Sequence, residues 1–156
     1  AMRRFPDATL RIVGDGPLDA ALRHRAREAG LDRVEFLGYR SGAALRSLVR
    51  EARAVVMPSL FPEVFGLSAL EAMALGKPLL AADRGALPEL VRHGESGWLF
   101  DPEDDDAFAG AVDACLGASP GTLRAMGAAA RSRAEAFPLD RCVDGLEAAY
   151  RSVARR

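Results

Sequence analysis

Short apolar runs, each stopped by glycine or proline, alternate along this chain with stretches whose core-facing positions recur every three or four residues. Thr9-Leu-Arg-Ile-Val13 is the first run and ends at the turn Gly14-Asp-Gly-Pro17. From Leu18 to Ala29 the spacing of Leu18, Ala21, Leu22, Arg25 and Ala29 predicts a helix, with Gly30 at its C-terminal cap and Pro17 at its first position. The runs Val34–Leu37, Ala54–Met57, Pro78–Ala82 and Trp98–Phe100 predict four further strands. Helices are expected behind a Ser41 cap, from Gly66 to Leu75, from Leu87 to Arg92, and from Glu103 to Leu116 behind an Asp101 cap. Two more, over Thr122–Ala136 and Leu139–Ala154, follow with no strand between them. Strands joined by crossover helices pair in parallel with right-handed connections. The expected fold is therefore α/β: one Rossmann-like, doubly wound parallel sheet with helices on both faces and extra C-terminal helices, a single domain over residues 1–156.

Composition narrows the classes. With 21 basic and 22 acidic residues the net charge is −1, so no nucleic-acid partner is expected from the domain as a whole. Lys77 is the only lysine and alanine is abundant, which we read as the codon bias of a GC-rich genome. Cys115 and Cys142 fall in C-terminal helices far from His24 and His93, so both are read as small buried hydrophobes rather than metal ligands. No stretch of about 18 apolar residues and no signal-peptide pattern is present; no transmembrane segment is expected, and the expected compartment is the cytoplasm. The Ala1-Met2 start and the polar stub before Thr9 suggest a piece of a longer protein, lacking the first βα unit of its sheet.

In open parallel sheets ligands bind beyond the carboxyl ends of the strands. Of the ends Gly14-Asp-Gly16, Gly38-Tyr-Arg40, Pro58-Ser-Leu-Phe-Pro-Glu-Val-Phe-Gly66 and Asp83-Arg-Gly85, the third is the longest and runs straight into a helix. Gly66 lets a ligand approach the backbone, and the free amides and partial positive charge of the helix start suit a phosphate or diphosphate. Pro62 and Gly66 keep Glu63 off the helix while Glu71 lies about one turn inside it. Two carboxylates beside an anion site fit a ligand with a diphosphate centre and hydroxyl-rich rings on both sides.

Pro62-Glu-Val-Phe-Gly-Leu-Ser-Ala-Leu-Glu71 resembles the E-x7-E signature of retaining GT-B glycosyltransferases. Val-Gly-Asp-Gly-Pro17, Val-Glu-Phe-Leu-Gly38, Val-Val-Met-Pro-Ser59, Ala-Leu-Gly-Lys-Pro78, Leu-Pro-Glu-Leu-Val91 and Gly-Glu-Ser-Gly-Trp-Leu-Phe100 are similar to that family's other blocks, in its order, over residues 8–116. The resemblance implies the C-terminal, donor-binding half of such an enzyme. Glu63 would then be the catalytic residue, holding donor-sugar hydroxyls beside the reacting carbon, and Glu71 would take the ribose hydroxyls. Amides of Phe65, Gly66 and Leu67, with Ser68, would meet sugar and diphosphate; main chain near Tyr39 and Arg40 would meet the base. The implied donor is a UDP-, GDP- or ADP-hexose, with no cofactor and no metal. The acceptor domain and the segment that brings an Arg and a Lys to the diphosphate are expected in the missing part, as is any contact with a membrane surface. The isolated chain is expected to be inactive. Gly85-Ala86 stands where the family often has Gly-Gly.

Blander readings compete. Ser68-Ala-Leu-Glu71 also fits a capping box, Glu63 a solvated loop carboxylate, and Phe61 and Phe65 pins of the loop to the core. His24 and His93 read as exposed and inert, Lys77 as serving a helix end, and Asp101–Asp106 as a helix start. The rival functions are a non-catalytic nucleotide-sugar module and a structural partner; a nucleotide-sugar epimerase fits the glutamate spacing less well. The last helix is expected to show an exposed apolar face that crosses back onto the missing domain.

Overall fold

The structure is a computed structural model that describes residues 2–154, apart from the side chains of residues 139, 141 and 142. A single 3-10 turn, Met2–Arg4, leads into β1 (Leu10–Val13), α1 (Asp19–Glu28), β2 (Val34–Gly38), α2 (Gly42–Glu51), β3 (Val55–Met57) and α3 (Leu67–Ala74). Then come β4 (Leu79–Ala82), α4 (Leu87–Leu90), β5 (Gly97–Phe100), α5 (Asp105–Gly117), α6 (Pro120–Ala134) and α7 (Leu139–Ala154). Every pairing is parallel, as crossover connections require.

Strand β4 organises the interior. Its four residues are all buried, because helices cover both faces of the sheet and β3 and β5 flank it. Leu79 and Ala81 pack with Ala69, Ala72 and Met73 of α3, Leu87 and Leu90 of α4, and Ala130 and Ala134 of α6. Leu80 faces the other way, toward Trp98, Phe100, Ala111, Cys115 and Met126. Helix α6 thus reaches both clusters. Burial raises the Cys115 thiol pKa, with a smaller opposing pull from Arg53, as suits a hydrophobic packing role. The side chain of Cys142 lies outside the described residues.

The parallel ladders fall into two sheets, β1-β2 and β3-β4-β5, rather than one continuous sheet. In the doubly wound order the strand next to β1 on its other side would separate it from β3. Among the described residues neither edge has that neighbour, and the side chains of both strands are only half-buried or exposed. No residue of α1 or α2 is buried either. The first sheet is tied to the rest through Val49, which packs on the core, and Lys77, whose Nζ donates to Ala52 O at the end of α2 over 2.8 Å. Lys77 therefore does serve a helix end. Exposed Val143, Leu146, Tyr150 and Val153 recur at three- and four-residue steps along α7, giving it the expected uncovered apolar stripe.

Several local expectations are corrected. Asp104, not Asp101, caps α5, accepting from the amides of Asp106 (2.9 Å) and Ala107 (3.1 Å), while Asp101 accepts from Glu103 N. Ser41 sits at the N-cap of α2 but makes no side-chain capping bond. Helix α1 begins at Asp19 behind Leu18, so Pro17 lies in the preceding turn. Helix α4 stops at Leu90, and α6 begins at Pro120 behind a Ser119 cap.

Gly127 of α6 meets the backbone carbonyl of Gly76 so closely that a methyl group there would overlap it. Overpacking of this kind costs about 1–3 kcal/mol. Gly127→Ala is expected to lower the thermal midpoint by about 2–10 °C; an unchanged melting curve would show that α6 packs elsewhere.

Candidate functional site

The loop after β3 and the turn after β4 meet at the carboxyl edge of the second sheet. Ser59 Oγ donates to Glu63 Oε1 over 2.8 Å, so Glu63 is half-buried and held, not a free solvated carboxylate. Ala86 N donates to Glu63 O over 2.8 Å. Arg84 Nη1 donates to Leu60 O at 2.9 Å, and Nη2 pairs with Glu103 at 2.9 Å. Gly85, at φ +61°, lies flat against the peptide of residues 62 and 63. The segment after β4 therefore holds the loop at three points.

Helix α3 starts at the end of that loop. Gly66 is its N-cap, in the left-handed conformation at φ 78° and ψ 49°, with no side chain to cap the helix. Among the described residues, the amides of Leu67, Ser68 and Ala69 have no protein acceptor. The capping box is not formed: Gly66, not Ser68, occupies the cap, and no side chain closes it. Glu71 is exposed in the second turn of α3 and free of that role. The helix start is open to solvent, with Val64 88% and Leu67 66% exposed. Leu87 and Leu90 of α4 back Gly66 from the core side.

Phe61 is 71% exposed and does not pin the loop. Phe65 packs edge-on against Phe137, ring centroids 6.1 Å apart, while staying partly exposed. Glu63, Phe65, Gly66, Leu67, Ser68 and Glu71 are thus carried by one loop–helix unit. Tyr39 and Arg40 are exposed at the end of β2 in the other sheet, and Arg40 Nη1 donates to Tyr39 O over 2.8 Å. Among the described residues no hydrogen bond joins that pair to the loop–helix unit. His24 pairs with Glu28 on the surface, and His93 Nδ1 accepts from Leu99 N, a turn-closing bond that its residue type alone did not announce. No group of three or more His, Cys, Asp or Glu suited to a metal ion occurs among the described residues.

Sequence reasoning missed Ser59, Arg84 and Gly85 as parts of the site. The four-residue Ser59–Glu63 spacing across Pro62 was a usable signal. The contact of Gly85 with Glu63 was not, because they lie 22 positions apart in the chain and only the β3–β4 pairing brings them together.

Comparison with known proteins decides the family. The pattern described as Glycosyl transferases group 1 matches residues 1–133. The chain belongs to the group 1 glycosyltransferases. It is 41% identical over 151 residues to the D-inositol 3-phosphate glycosyltransferase of Mycolicibacterium paratuberculosis, covering 92% of this chain and 34% of that protein. Among solved structures, sucrose-phosphate synthase from Thermosynechococcus elongatus superposes with a TM-score of 0.87 at 32% identity, over 99% of this chain and 40% of that one. Anabaena HepE, in complex with UDP and glucose, gives 0.82 at 28% identity, over 92% of this chain and 40% of that one. These likenesses confirm the Rossmann-like GT-B fold. The chain spans about a third of the length of the curated relatives it matches.

In this group 1 glycosyltransferase domain the left-handed Gly66 caps α3 without a side chain, and among the described residues the first amides of the helix have no protein acceptor. Placing a side chain in that conformation costs about 1–2 kcal/mol. An added Cβ would also come within 3.2 Å of Leu87 Cδ2 and 3.3 Å of Leu90 Cδ1. Gly66→Ala is expected to lower the urea midpoint by an amount equivalent to about 1–3 kcal/mol. A Gly66→Ala variant that unfolds at the wild-type urea concentration would refute this geometry.

Proposed function

We propose that this chain is the donor-binding half of a retaining glycosyltransferase, taking a nucleotide diphosphate sugar and presenting its hexose to an acceptor. The observation that carries the reading is the start of α3: amides without protein acceptors among the described residues, an open approach, a held carboxylate just before it and an exposed one in its second turn. Glu63 takes sugar hydroxyls beside the reacting carbon and Glu71 takes the ribose hydroxyls. Amides of Phe65, Gly66 and Leu67, with Ser68, meet the sugar and diphosphate, and the backbone near Tyr39 and Arg40 meets the base. HepE is similar to 92% of this chain, and the HepE complex with UDP and glucose makes a uridine diphosphate sugar the first donor to try.

Transfer proceeds by front-side displacement, the donor phosphate helping to deprotonate the acceptor, without a metal ion. Glu63 orients the sugar rather than attacking it. A helix start carries about half a unit of positive charge, too little to offset a leaving nucleoside diphosphate. Arg84, the cation within the turn that braces the loop, is engaged with Leu60 O and Glu103. Further cations and the acceptor site therefore come from the rest of the enzyme, so the isolated chain binds donor without turning it over.

A charged hydrogen bond contributes about 1.5–3 kcal/mol. Calorimetry of the chain with UDP-glucose is expected to show binding that Glu71→Ala weakens about 10- to 100-fold. In the full-length enzyme Glu63→Ala is expected to reduce kcat about 10²-fold or more. Heat-free titrations with UDP-, GDP- and ADP-sugars alike, in the chain and in the full-length enzyme, would leave only a structural role.

A further inference from the structure

We infer that Ser59 and Gly85 are positioning residues for Glu63, setting the carboxylate that meets the donor sugar; the inference rests on the function proposed above. A glutamate on a loop has three rotatable side-chain bonds and, unheld, would sample many positions. Here its side chain and its backbone are held from two different strands. Ser59, two residues past β3, donates from Oγ to Glu63 Oε1 over 2.8 Å. A hydroxyl donating to a carboxylate makes a charge-assisted bond, stronger than one between neutral groups. Among the described residues Oε2 has no protein partner, so that oxygen and the remaining lone pair of Oε1 are left to accept from sugar hydroxyls.

The backbone of Glu63 is fixed from the other side. A Cβ on residue 85 would fall 2.5 Å from Glu63 O, 2.6 Å from Glu63 N and 2.8 Å from the Pro62 carbonyl carbon. Only glycine lets the turn after β4 lie against that peptide, and its φ of +61° favours glycine as well. Ala86 N then donates to Glu63 O, and Arg84 ties Leu60 O one turn of loop earlier. This explains why Ala86 is tolerated beside Gly85: its amide is used, while its side chain is not what meets residue 63. Residue 85 must lack a side chain; residue 86 need not.

The test uses the full-length enzyme with its donor and acceptor. Displacing an orienting group by about 1 Å lowers a rate about 10²-fold, so Ser59→Ala is expected to lower kcat about 10- to 100-fold, with a much smaller change in donor KM. Ser59→Thr, which keeps the hydroxyl, is expected to restore most of the activity. Gly85→Ala is expected to give the same kcat-weighted loss, and its thermal midpoint is read alongside because the variant can fail by unfolding. The deciding comparison is Ser59→Ala placed in a Glu63→Ala background. A residue acting through Glu63 has nothing left to act on, so no further loss is expected; a merely structural role gives the same loss in both backgrounds. Equal losses in both backgrounds, or no loss from Ser59→Ala when Glu63→Ala is impaired, would overturn the inference alone. Full activity of Glu63→Ala would instead overturn the proposed function, and this inference with it.

Discussion

The burial of β4 is the constraint from which the site follows. Leu79, Leu80, Ala81 and Ala82 leave no face to water, so the strand must sit between β3 and β5 with helices on both sides. That position fixes where its carboxyl end emerges. The turn it delivers, residues 83–86, comes out beside the loop that follows β3 and supplies one amide, one guanidinium and one bare glycine backbone to it. Burial of small and branched apolar side chains thereby determines the position of a carboxylate that is itself polar and half-exposed. A change in the packing of Leu79 or Ala81 would be felt at Glu63 through two peptide links rather than through any ligand contact.

Much of this was legible in the residues. The strands stand within one or two residues of where apolar runs placed them, because a parallel strand between helices has to be apolar along its length. The loop–helix unit was legible too: proline, glutamate and glycine spaced before a helix leave few ways to fold. What was not legible depended on neighbours distant in sequence. Asp101 and Asp104 are equally good caps as residue types, and only the path of the loop before α5 chose Asp104. The Ser68–Glu71 pair has the spacing of a capping box, yet Gly66 reaches the left-handed region and starts the helix two residues earlier. The division into two sheets was invisible, since apolar runs say that a strand exists but not which edges find partners.

Three cations of this domain are given to carbonyl oxygens at helix ends. Arg53 donates to Cys115 O, Leu116 O and Ala118 O at the end of α5, Arg133 to Glu89 O and Leu90 O at the end of α4, and Lys77 to Ala52 O at the end of α2. Each meets the partial negative charge of a helix C-terminus. Such pairings stabilise the fold; at the start of α3, among the described residues, the amides of Leu67, Ser68 and Ala69 are without a protein acceptor. Amides in fixed directions discriminate by geometry, whereas mobile cations attract any anion. In the function proposed above, those amides would read the shape of the donor more than neutralise it.

The uneven burial of the chain points the same way. Residues 66–134 hold the entire set of fully buried side chains among the described residues, while β1, α1, β2 and α2 hold none. A sheet of two strands with half-exposed side chains contributes little stability of its own. Tyr39 and Arg40 sit on that weaker sheet, whereas Glu63, Gly66 and Glu71 sit on the well-packed one. If both groups contact one ligand, the ligand itself joins the two sheets, and its binding energy is shared between recognition and ordering of the first sheet. Donor affinity measured on this chain would then report the coupling between the sheets as well as the contacts at α3, and anything that completes the free edges of β1 and β3 would raise it without touching the ligand.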